Sequence, residues 1–159
     1  MPGLGPELSS FLFKLMHQIL PTQERVSRTN PATSPRCKLP GCSDATVEDL
    51  PHALVYCSGN NGTGLKILDI ARTLVPDAGA EHFLQLNFGV EESQELAVAW
   101  WLAAGFMAIW NLRISGKRVD QYLVRAQLEA KINLLRETRF EGAAINLENF
   151  LIDLYFKLK

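Results

Sequence analysis

Apolar residues recur at three- and four-residue intervals through most of this 159-residue chain, and nowhere do they alternate with a period of two over a useful length. That spacing predicts helices and argues against strands. Glu7 to Leu20 sets Leu8, Phe11, Leu12, Leu15, Met16 and Ile19 on one face, and Pro21 ends the pattern. Thr22 is placed to cap a short helical turn through Arg28, with Arg25 where a capping box has an acid. After the glycine-rich turn Asn60 to Gly64, Thr63 is expected to cap a helix from Leu65 to about Val75. Glu81 to Phe88 reads as a short amphipathic element.

The longest helix candidate runs from Glu91 to about Ile114. Trp100, Trp101, Phe106, Met107, Ile109 and Trp110 fall on all its sides, as in a helix buried at the centre of a bundle. Its uncharged run, Leu96 to Trp110, is shorter than the ~20 residues needed to span a bilayer, so no membrane role is expected. Gly105 would allow a close helix crossing. Val119 to Phe140 follows, with Val119, Tyr122, Leu123, Ala126, Ala130 and Leu134 on one side and Leu128, Ile132 and Leu135 widening the stripe. Ala143 to Leu158 closes the chain as a last helix.

One segment does not follow the helical pattern. Cys37, Cys42, His52 and Cys57 form C-x4-C-x9-H-x4-C and include every cysteine present. Three thiols and an imidazole suit tetrahedral Zn²⁺, which accepts both sulfur and nitrogen. Pro40-Gly41 supplies a tight turn between the first two cysteines, and a helical turn within Val47 to Val55 would present His52. Four protein ligands leave no open coordination position, so the ion would be structural and the chain is expected not to be an enzyme. The fold class predicted is mostly α: a helical bundle with an inserted small structural Cys3His zinc module. Residues 1–60 hold the first helix and the zinc module, and residues 61–159 the bundle region packed on them.

Charge and composition narrow the function without deciding it. Three cysteines cannot all pair within the chain, which argues against a disulfide-built secreted domain. The start, MPGLGPELSS, lacks a signal-peptide pattern, so an intracellular setting, nucleus or cytoplasm, is expected. The formal net charge of −1 is unlike a strongly basic nucleic-acid binder. Beside the metal segment, however, Arg25, Arg28, Arg36 and Lys38 offer contacts to phosphate. His17 is expected to be a half-buried packing residue and His82 a surface or cap residue. The stretch SGNNGTG lacks the Gly-Lys-Ser/Thr ending of a phosphate loop.

The succession FLFKLMHQILPTQERVSR, CKLPGC and EDLPHALVYC resembles the C-terminal zinc-binding region of non-LTR retrotransposon reverse transcriptases. Leu20-Pro21-Thr22 with Arg25 matches that family's L-P-T-x-x-R stretch. Cys37 and Cys42 match its cysteine pair, and Glu48, His52 and Cys57 its closing E-x-x-x-H-x-x-x-x-C unit. The likeness covers residues 10 to 60 well, and GKRVDQYLVRAQLEAKINLLRETRF extends it weakly into the tail. It implies a role beside a polymerase, holding RNA or single-stranded DNA, in the element or in a host protein derived from one. The polymerase aspartate pair and an endonuclease set are absent. The alternative is a helical protein–protein interaction or self-associating scaffold with a structural zinc. Its protein partner or homo-oligomer contact would lie in the Trp-rich helical region.

Overall fold

The computed structural model describes residues 5–43, 46–76, 92–137 and 143–158. The element expected at Glu81 to Phe88, and His82 with it, lies outside the described residues. Six α-helices occur among them: α1 (Gly5–Met16), α2 (Gln23–Thr29), α3 (Thr63–Ala71), α4 (Glu92–Ile114), α5 (Gln121–Glu137) and α6 (Ala143–Lys157). The only strand-like pairing described is a single antiparallel bridge between Arg36 and Val47. The protein is thus a mostly α-helical bundle containing a small Cys3His cluster capable of holding a metal ion.

The centre of the bundle is α4. From Ala97 to Trp110 its side chains are buried on every face, because α1, α3, α5 and α6 all pack against it. Trp100, Trp101 and Trp110 are therefore core residues of a single chain. Burying side chains of this size stabilises by about 1.5–3 kcal/mol each, more for tryptophan. Buried Trp101 also satisfies its indole, with Nε1–H donating to Ile67 O at 3.0 Å. Glu95–Ile114 is long and apolar enough to cross a membrane, but 83% of that window is buried in protein. Gly105 makes the close crossing its position suggested: a Cβ there would sit 2.9 Å from two carbons of Ile67 on α3.

Several boundaries differ from those the sequence suggests, each for a local reason. The first helix ends at Met16, four residues before Leu20. Gln18 adopts a left-handed conformation (φ 52°), Gln18 N–H donates to Leu15 O, and Ile19 N–H donates to Lys14 O, which closes the helix as a Schellman cap. His17, between the helix end and Gln18, is exposed, its ring centroid 4.3 Å from that of Phe13, and is not half-buried. Thr63 is not the cap of α3. Left-handed Gly62 (φ 73°) occupies the cap, and Thr63 is the first helical residue. On α5 the buried stripe is Val124, Leu128 and Ile132, whereas Tyr122, Leu123 and Leu134 are exposed. A helix wedged between two others buries only a narrow stripe, four residues apart along its axis.

The glycine-rich turn also acquires a role. A methyl group on Gly64 would lie 2.0 Å from Leu54 O, so α3 starts in backbone contact with the metal segment. Close packing, and not phosphate binding, accounts for a glycine at this position.

Candidate metal centre

Two turns bring the four ligands together. Leu39-Pro40-Gly41-Cys42 folds with Cys42 N–H donating to Leu39 O at 3.0 Å and Gly41 at φ 88°, a type II turn with proline and glycine in their preferred places. Asp49 begins the second, its Oδ1 accepting His52 N–H at 2.8 Å. The chain then winds through a π-helical turn, His52–Tyr56, in which Cys57 N–H donates to His52 O. The expected helical turn presenting His52 is thus present, in a wider form. The bridge between Arg36 and Val47 closes the loop that carries Cys37 and Cys42, with Cys37 N–H donating to Thr46 O.

The ligand atoms of Cys37, Cys42, His52 and Cys57 all lie within 4.8 Å of one another. Bonds of about 2.3 Å to sulfur and 2.0–2.1 Å to nitrogen in a tetrahedron imply edges of about 3.8 Å (S to S) and about 3.6 Å (S to N). Cys37 Sγ and Cys57 Sγ are 3.7 Å apart, and Cys42 Sγ and His52 Nε2 are 3.6 Å apart. Both edges fit zinc. In the tautomer that leaves a lone pair on Nε2, His52 Nδ1–H donates to Thr46 Oγ1 at 3.1 Å, the outer contact that holds a metal-binding imidazole in place. No bonding position is left over for a substrate or activated water, so the centre suits a structural ion.

No motif singles out Arg113, which builds the next layer. Arg113, in the last turn of α4, reaches into the metal segment with its side chain 5% exposed. It donates to Cys37 Sγ at 3.3 Å, Asn60 Oδ1 at 3.0 Å and Glu48 Oε2 at 2.7 Å. Glu48 in turn accepts Gln23 N–H at 3.1 Å through its other oxygen, while its carbonyl accepts Glu24 N–H. Thr22 Oγ1 accepts Arg25 N–H, as expected of a cap. Glu48 from the metal segment thus satisfies the first two N–H groups of α2, which no local side chain reaches. A carboxylate at the start of α2 and a guanidinium at the end of α4 each also match the helix dipole.

Burial pushes the Cys37 thiol up to about 12 when no ion holds it, against the lowering influence of the Leu39 backbone and of Arg113. Such a thiol needs a cation to become a thiolate, which is what a zinc ion supplies. Burial works against the charge on Arg113, but its bonds to Cys57 and Cys37 and the nearby Glu48 carboxylate outweigh it and raise its pKa. Three thiolates and one Zn²⁺ sum to −1, and Arg113 stands beside that charge.

The four basic residues flank this centre on exposed positions. Arg36 and Lys38 stand on either side of Cys37. Arg25 donates to Gln18 O at 3.0 Å, and Arg28 pairs with Glu24 one helical turn away. An exposed ion pair such as Arg28–Glu24 is worth only about 0–1 kcal/mol. No family model, curated protein or solved structure matches this chain.

Proposed function

We propose that this chain is a non-catalytic, zinc-clamped helical module that binds RNA or single-stranded DNA, of the type attached to reverse transcriptases of non-LTR retrotransposons. The observation that carries the reading is the Cys3His set, two of whose edges have zinc-like lengths, with exposed Arg36 and Lys38 on either side of its first ligand. The zinc fixes the loop, and the loop sets the spacing of the cations. Arg25 and Arg28 extend the basic face along α2, whose start is docked on the same loop through Glu48. In this reading the protein works in the nucleus or cytoplasm, where thiols stay reduced.

The test is binding of a short unstructured RNA to the zinc-loaded chain at about 50 mM salt, repeated at about 200 mM. Affinity should fall steeply with salt, and reversing Arg25, Arg28 and Lys38 to glutamate should reduce it at least tenfold, about 1.4 kcal/mol. Undetectable binding at low salt, or binding indifferent to those changes, would reject the reading.

A second reading, a helical interaction or self-association module, is favoured by Tyr122 and Leu123. They lie 74% and 40% exposed on α5, while the tryptophans are buried. Light scattering decides it: a strict monomer over a wide concentration range counts against self-association.

A further inference from the structure

A cleft of about 190 Å³ separates the metal loop from the end of α4. The zinc ligands do not line it. Its apolar lining comes from Pro21, Leu39 and Pro40 and, at the end of α4, from Trp110 and Ile114. Ile114 is 64% exposed and stands at the rim. Among the polar lining groups, Glu48 and Arg113 satisfy each other. Gln23 also lines the cleft, and its Oε1 is buried with no hydrogen-bond partner among the described residues. A buried acceptor left so costs about 1–3 kcal/mol, which favours an occupant that brings an N–H donor.

Exposed cations lie at or next to lining residues. Lys38 is an exposed lining residue, and exposed Lys117 and Arg118 directly follow Gly116, another lining residue. The only acid in the lining, Glu48, is buried and paired. An apolar lining, an acceptor wanting a donor, and exposed cations beside the mouth together match a heterocycle carried on an anionic chain. Single-stranded RNA is recognised in this way, by splaying out a base, packing its faces and bonding its edge.

We propose that this cleft takes one unstacked nucleobase of the bound strand and prefers a base with an exocyclic amine to uracil, with the flanking phosphates on Lys38 and Lys117. Uracil's single ring N–H lies between two carbonyls, which would crowd the Gln23 oxygen, whereas an exocyclic amine donates to it from the base edge. The proposal rests on the nucleic-acid reading above and adds a ligand subsite to it. The cleft also depends on the clamp, since Arg113 and Glu48 belong to both.

Cytidine and uridine oligomers of about 12 nucleotides separate the possibilities, because they share a ring and backbone and differ in the base edge. Titrated into the zinc-loaded full chain and followed by anisotropy, the cytidine oligomer should bind about tenfold tighter. Gln23→Leu should erase that preference. Ile114→Glu, at an exposed position, should weaken both oligomers by about tenfold. Equal affinities unaffected by either substitution, with binding still abolished by reversing the basic face, would overturn the cleft and leave the broader reading standing. No binding of any oligomer would overturn both.

Discussion

Arg113 donates to Glu48 Oε2 across 2.7 Å, with both side chains more than nine-tenths buried, and so ties the end of α4 to the metal loop. A buried ion pair of this kind stabilises little compared with a well-packed apolar substitute, because both charges lose water. Breaking it from one side is another matter. Arg113→Met leaves Glu48 buried without its cation and should cost about 3–5 kcal/mol in urea denaturation. Adding Glu48→Gln to that variant should recover part of the loss, the signature of direct coupling in a double-mutant cycle.

Metal content is the second prediction. Chain purified without added zinc should carry about one ion, and Cys42→Ser should lose it. Chelation should loosen the segment from Arg36 to Asn60 while α4 stays folded, read as faster amide exchange confined to that segment. Because Arg113 donates to Cys37 Sγ, Arg113→Lys should also lower zinc affinity, by about 10- to 100-fold, the usual size of an outer-shell effect.

Proton competition supplies the third. Burial holds the Cys37 thiol protonated up to about 12 without an ion, so binding zinc must release that proton at neutral pH. Affinity should therefore rise by about tenfold or more per pH unit from roughly pH 6 to 8, and fall by the same factor on acidification. The sign for the ion-free fold is the reverse. A thiol whose pKa is raised on folding stabilises the fold below 9.0, and that contribution is lost as pH climbs from there towards 12. Competition titrations with a zinc indicator at several pH values measure the first effect.

Two neighbouring glycines should respond differently to alanine. Gly62→Ala meets nothing within 4 Å but must hold φ +73°, at a cost of about 1–2 kcal/mol. Gly64→Ala forces a methyl to within 2.0 Å of Leu54 O and should cost about 3 kcal/mol or more, because α3 must move off the metal segment. Denaturation midpoints of the two variants compare them directly.

The ligand set was legible because metal spacing is a local property. Cys37, Cys42, His52 and Cys57 lie within 21 residues, and Pro40-Gly41 announces the turn between the first two. The burial of α4 was legible too, since apolar residues on all its faces admit few other solutions. Faces and ends were less so. Which stripe of α5 is buried depends on the helices beside it, and the end of α1 on Gln18 accepting a left-handed conformation, which glutamine composition does not signal.

By itself the chain determined its helices, its central helix and the chemistry of its metal ligands, each written in short-range pattern. Only the tertiary structure decided that Arg113 serves the metal segment, that Glu48 caps α2, and that a cleft opens between loop and helix. Arg113 is 76 residues from Cys37 and 65 from Glu48. No local rule reports a contact of that span, because packing around α4, and not sequence proximity, brings the three side chains together.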